Sequence, residues 1–164
     1  MNLESLGNCF TETFLACKNK TAITFLRDGK LETEISYLEL HQDTNRMANT
    51  FLDRGIKKGD RVILFIQKSV VFVVAHLALQ KIGAITVPLN TGFKKSELQY
   101  LLGDADASLI LTEPGKEALI ADIDPKLTTS IIDTQVPYHD LDIIGAASEE
   151  YPSVGVRLDD PALI

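Results

Sequence analysis

Apolar and polar positions follow two rhythms along this chain, and the alternation between them predicts the elements. Thr21-Ala22-Ile23-Thr24-Phe25-Leu26 reads as a strand, Asp28-Gly29 as a hairpin turn and Leu31 to Ile35 as the returning strand. From Ser36 to Arg54 the period becomes helical: Tyr37, Leu40, Thr44, Met47, Ala48 and Phe51 share one face. Ser36 and Glu39 make a capping-box pattern at its start, each side chain able to satisfy the other's free backbone N–H. Gly55 stands where a left-handed terminator belongs. After the Gly59-Asp60 turn, Arg61 to Ile66 is a continuous apolar run, the pattern of a strand buried on both faces. Ser69 to Ile82 follows. Its valines 70, 71, 73 and 74 favour a strand by propensity, but its length, an N-capping Ser69 and a terminating Gly83 favour a helix.

Ala84 to Leu89 reads as a second buried strand, ended by Pro88, which has no N–H to give a ladder. Asn90-Thr91-Gly92-Phe93 is a loop. Ser96 and Gln99 repeat the capping-box pattern and predict a short helix through Leu102, with Gly103 after it. Ser108 to Thr112 is a third strand, and Pro114 to Ala121 a short helix with proline in its first turn. Thr129 to Asp133 is a fourth strand, Tyr138 to Ala147 a further helical stretch, and Glu149 to Asp160 a surface connection. Strands alternating with helices predict an α/β fold: a largely parallel, doubly wound sheet with helices on both faces, joined by right-handed crossovers, and a short antiparallel hairpin near the N-terminus.

Composition narrows the function classes. The chain has 164 residues, 45% hydrophobic and 24% charged, with a formal net charge of −7. That length sustains a real core, since about 150 residues bury roughly 68–70% of the surface the unfolded chain exposes. Intrinsic disorder does not fit so many evenly spread apolar residues. The acidic balance, with no basic stripe, argues against nucleic-acid binding. Cys9 and Cys17 form neither a disulfide framework nor a zinc site and read as reduced thiols. The longest apolar stretch, Val70 to Leu79, is broken by His76 and is shorter than the roughly 20 residues of a membrane span. The first residues carry Glu4 and Glu12 where a signal peptide would carry base and then an apolar run. The expectation is a soluble cytoplasmic protein.

Catalytic constellations are mostly missing. The sequence has no phosphate-gripping Gly-Lys-Ser/Thr loop, dinucleotide fingerprint or Gly-x-Ser-x-Gly turn. His41, His76 and His139 are scattered, the first two reading as structural. Asp104, Asp106, Asp122, Asp124, Asp159 and Asp160 sit at predicted turns, where Asp bonds local backbone. Two carboxylates such as Asp104 and Asp106 do not complete a calcium shell. The tail, Asp159-Asp160-Pro161-Ala162-Leu163-Ile164, reads as a turn feeding a new apolar strand, which predicts a piece of a longer domain.

A set of residues in fixed order resembles a known family. Gly59-Asp60-Arg61-Val62, Ala75, Lys81-Ile82-Gly83-Ala84, Pro88-Leu89-Asn90, Glu97-Leu98, Tyr100 and Asp104 resemble the N-terminal region of adenylate-forming enzymes, and within them the AMP-forming acyl-CoA synthetases. Tyr37-x-x-Leu40, Arg54-Gly55 and the tail fit the same pattern, so the resemblance spans Thr21 to Ile164. It implies that residues 1–164 are the N-terminal portion of a larger domain, cut before the ATP phosphate loop. The parent would use ATP, Mg²⁺ and CoA to activate a carboxylic acid as an acyl-adenylate and pass the acyl group to the CoA thiol. The segment itself would be an inactive scaffold, because adenylation needs donors placed where charge builds on phosphoryl oxygens.

The resemblance also implies that CoA's nucleotide portion docks near Asn90, Thr91, Gly92, Phe93, Lys94 and Lys95. Lys94 or Lys95 would meet a phosphate as a point charge and Phe93 would pack on adenine. The plain reading of the same residues is a solvated lysine pair opening a helix, with Phe93 in the core. Two rivals stay open: an adenylation domain of another adenylate-forming enzyme, and a free-standing α/β binding or regulatory module. A segment separated from the rest of its sheet would expose apolar surface and self-associate.

Overall fold

The computed structural model describes residues 6–141 and 147–164. Helix α1 (Leu6–Ala16) precedes strands β1 (Thr21–Arg27) and β2 (Lys30–Ser36), which pair antiparallel. Asp28 and Gly29 between them both have positive φ, 51° and 76°, the backbone of a tight primed turn. Helix α2 (Tyr37–Asp53) follows at once. Its capping box is complete: the Ser36 Oγ accepts from the Glu39 N–H, and the Glu39 carboxylate accepts from the Ser36 N–H at 2.7 Å.

The remaining elements are β3 (Arg61–Phe65), α3 (Val70–Lys81), β4 (Ile85–Pro88), α4 (Lys95–Ala105), β5 (Leu109–Thr112), α5 (Glu117–Ile123) and β6 (Thr128–Ile131). Strands β3 to β6 form one parallel sheet in the order β4-β3-β5-β6. Alternation along the strands divides the core. Val62, Leu64, Leu109 and Leu111 pack toward α1, α2 and α3. Ile63, Phe65, Val87 and Ile110 pack toward Leu98 and Leu102 of α4 and Ile120 of α5. The sheet is therefore covered on both faces, as its near-continuous apolar strands require.

Four local expectations are corrected. Helix α4 starts at Lys95, with Lys94 as its N-cap, not at Ser96. The carboxylate that closes the first turn is Glu97, which accepts the Lys94 N–H at 2.8 Å. Glu97 stands three residues after Lys94, where its charged carboxylate reaches back to the cap, while Ser96 and Gln99 fall inside the helix. Gly103 lies inside α4, and Asp106 ends it in the left-handed region at φ 46°. Pro114 stands outside α5, because Gly115 at φ 84° turns the chain first and the helix opens at Glu117. From Tyr138 only a short 3-10 turn to Asp140 forms, and residues 142–146 of that expected helix lie outside the described residues. Helix α1 has no counterpart in the pattern reading.

Pro88 sits last in β4, opposite Leu64, and the next N–H, of Leu89, bonds the Leu64 carbonyl at 3.0 Å. At the outer edge of β4, the Thr86 N–H donates to Ala162 O and the Ile164 N–H donates to Thr86 O, both at 3.1 Å. The tail thus joins the sheet in parallel beside β4.

Candidate functional site

The chain steps from β3 outward to β4, then crosses back over β3 to β5. That reversal opens a crevice beyond the carboxyl ends of the strands, where open α/β sheets receive ligands. Three loops meet there. Gln67 follows β3, Asn90–Lys94 follow β4, and Glu113–Lys116 follow β5.

Side chains tie these loops to one another. The Gln67 side-chain amide donates to Thr91 Oγ1 at 2.8 Å, and its backbone N–H donates to the Glu113 carboxylate at 3.2 Å. Thr134 Oγ1 donates to the same carboxylate. Lys116 Nζ donates to Thr91 O at 3.2 Å and stands 4.0 Å from the Phe65 ring centroid, a cation held over an aromatic face. A cleft of about 430 Å³ lies between Ile66, Gln67, Lys68, Phe72 and the Pro88–Thr91 stretch. Apolar Ile66, Phe72, Pro88 and Leu89 share its lining with polar Gln67, Lys68, Asn90 and Thr91, a composition that suits a small molecule.

The predicted loop residues take distinct places. Asn90 Oδ1 accepts the Gly92 N–H at 2.9 Å, and the Phe93 N–H returns to Asn90 O at 3.1 Å, so two local bonds fix the turn. Asn90 and Gly92 are exposed, Thr91 half-buried. Phe93 is half-buried and packs against the α4-side core, anchoring the loop rather than offering a free ring face. Lys95 pairs with Asp122 of α5. Lys94 is exposed at the α4 N-terminus, with Lys68 exposed beyond β3. The carboxyl end of the sheet therefore gathers lysines 68, 94 and 116 on a chain whose net charge is −7.

Gln67, Glu113 and Lys116 were not singled out by motif. The signal that finds them is positional: they follow the two central strands of a doubly wound sheet. The turn acids are accounted for locally. Asp106 caps α4 with its side chain 3.7 Å from Arg61, and Asp160 accepts the Arg157 N–H at 2.6 Å and pairs with Lys58. The hydrogen bond from the Lys58 ammonium and then the Arg157 backbone N–H hold the Asp160 carboxyl below its ordinary range. Among the described residues no group of three His, Cys, Asp or Glu side chains could hold a metal, and no helix is long and apolar enough to cross a membrane. Cys9 and Cys17 are half-buried free thiols. Burial lowers both His41 and His76 from the ordinary imidazole range.

Known proteins share this arrangement. Residues 10–164 match the family model of the AMP-binding enzyme. The crotonobetaine/carnitine–CoA ligase of Escherichia coli is 39% identical over 94 residues, 57% of this chain and 18% of the ligase. Apo MatB from Rhodopseudomonas palustris superposes with a TM-score of 0.80 at 31% identity, covering 96% of this chain and 32% of that one. The N-terminal domain of FACL13 from Mycobacterium tuberculosis gives a TM-score of 0.81 at 22% identity, over 98% of this chain and 41% of that one, a likeness of fold. The chain thus spans about a fifth of the curated relatives it matches and about a third to two-fifths of these solved structures.

Proposed function

The chain belongs to the AMP-binding enzyme family, and from that premise we propose that it forms the N-terminal wall of an acid–thiol ligase. In the complete enzyme, a carboxylate oxygen of the substrate attacks the α-phosphorus of ATP and pyrophosphate leaves. The CoA sulfur then attacks the acyl carbon and AMP leaves. Both steps need cations or N–H donors at developing negative charge. We assign the chain the part of shaping and positioning, with the isolated segment releasing no product.

One observation supports this reading: the carboxyl end of the sheet holds a cleft of about 430 Å³ lined by Lys68 and the Pro88–Thr91 stretch, and the exposed Lys94 follows in the same β4–α4 loop. That pairing suits a nucleotide with several phosphates, and CoA is the phosphate-bearing substrate that resemblance puts near Asn90–Lys95. Lys94 is the residue to meet a CoA phosphate. Lys95 is engaged by Asp122, and Phe93 holds the loop from beneath. The exposed Leu163 and Ile164 at the β4 edge would be covered in the complete enzyme and drive self-association of the isolated chain.

Pyrophosphate release from the isolated chain, given ATP, Mg²⁺ and a panel of carboxylic acids, tests the scaffold role. Background rates are expected. Turnover above background would place the reactive groups within these residues and end the proposal.

A further inference from the structure

Lys81 is fully buried at the end of α3. Its Nζ donates to Thr44 Oγ1 and to Asn45 Oδ1, both at 2.7 Å, and reaches His41 O at 3.4 Å. All three acceptors are neutral. Thr44 Oγ1 can only accept here, since its own proton is directed to Leu40 O at 2.6 Å. Two aromatic rings close the sides: Phe14 of α1, with its centroid 5.9 Å from Nζ, and Tyr151, at 5.6 Å. The titratable side chains set against Lys81 are His41 on α2 and Tyr151, while α1 presents the Phe14 ring. Glu149 is turned away to Gln42 and Arg46 of α2. The cage satisfies the N–H donors of an ammonium but supplies no counter-charge, and a buried charge without one favours water.

The outer cover is irregular chain pinned to α2, with Glu149 paired to Arg46. Ser148–Tyr151 has no regular secondary structure and is held to α2 by side-chain bonds. Asn45 Nδ2 donates to Glu149 O at 2.8 Å, and Asn49 Nδ2 donates to Ser148 O at 2.8 Å and Glu150 O at 3.0 Å. Asn45 thus grips the segment with its amide nitrogen and Lys81 with its oxygen. Helix α1, by contrast, inserts Phe14 into the main core with Phe10 packed beside it.

We propose that Ser148–Tyr151 is a proton-released strap: a charged Lys81 draws water in and lifts it, and an uncharged Lys81 lets it close. Burial lowers the Lys81 ammonium from 10.5 to about 7. An amine released to water titrates near its ordinary value, so protons favour the open form between those limits. The open fraction falls about tenfold per pH unit above pH 7 and is flat below it.

Glutamyl endoprotease cleavage after Glu149 and Glu150 reads the open fraction on the 164-residue chain, each rate divided by that of a free peptide of the same sequence. The normalised rate is expected to fall about tenfold per unit from pH 7 to 9, and to lose that slope in Lys81→Met. Cleavage after Glu97 and Glu117, on the opposite face, is expected to stay slower throughout. A wild-type rate independent of pH, the same slope in Lys81→Met, or equal rates at all four glutamates would overturn the strap. Should Lys81→Met fail to fold, the Lys81 amine titrated by nitrogen NMR decides. Asn49→Ala, which loosens the strap without touching Lys81, is expected to raise its midpoint, and an unchanged midpoint refutes the coupling.

Discussion

Lys81 and Tyr138 titrate in opposite senses, and together they set the pH at which the fold is most stable. The Lys81 ammonium falls to about 7 by burial, so between pH 7 and about 10 the unfolded chain binds a proton the folded one lacks. Stability then rises with pH, by about 1.4 kcal/mol per unit. The Tyr138 phenol is raised by burial and by its bond to Asp43 at 2.6 Å. Above pH 10 the unfolded tyrosine ionises first and stability is lost. Buried His41 and His76, both lowered, steepen the loss on the acid side. Chemical denaturation from pH 5 to 11 is expected to give a maximum between pH 9 and 10. A maximum near pH 7 would mean that Lys81 stays charged in the fold. None of this was legible in the sequence. Lys81 stands there only within the Lys81-Ile82-Gly83-Ala84 set that carries the family resemblance, and only the pairing of α2 with α3 shows it buried.

At the scale of elements, what could be read ahead of the structure was what local chemistry decides. The capping box of Ser36 and Glu39, the Asp28-Gly29 turn and the apolar runs of β3, β4 and β5 are visible because each is complete within a few residues. The valines of α3 ran against helix propensity, and the caps decided: Ser69 Oγ accepts the Phe72 N–H at 3.3 Å, and Gly83 turns the chain at φ 70°. Helix α1 was missed because it has no acid in its first turn and no base in its last. Its legible sign was Phe10 and Phe14 four residues apart, whose rings stack with centroids 5.9 Å apart. The α4 start was misplaced because Ser96 is a preferred cap residue and Lys94 is not, yet Glu97 closes the first turn on the Lys94 N–H. Gly83 makes a sharp test of the α3–β4 turn. An added Cβ would lie 2.9 Å from Lys58 Cγ and 3.2 Å from Val156 Cγ2, in a left-handed backbone. Gly83→Ala is expected to cost about 1–3 kcal/mol by denaturant titration. Gly59→Ala, at φ 87° with open space around it, should cost less. Equal losses would mean that backbone strain alone matters at this turn.

The whole molecule is a doubly wound sheet whose two faces are covered and whose β4 edge is joined by the tail. The tail begins a strand beside β4, and the exposed Leu163 and Ile164 lie along it. The architecture and the family were legible because strand–helix order and a spaced set of residues survive without coordinates. The crevice was only half legible. The Asn90–Lys95 loop could be placed, but Gln67, Glu113 and Lys116 come together through strand order, which no local pattern encodes. We propose that this face receives the phosphates of CoA, and Lys94 tests it most directly, being exposed in the loop that follows β4 and outside the Lys95–Asp122 pair. In the full-length ligase, Lys94→Glu should raise the KM for CoA several-fold while the rate of acyl-adenylate formation, read as pyrophosphate release without CoA, stays within about twofold. That split follows if the lysine acts on a phosphate as a point charge. An unchanged KM for CoA, or an equal loss in both half-reactions, would contradict the account.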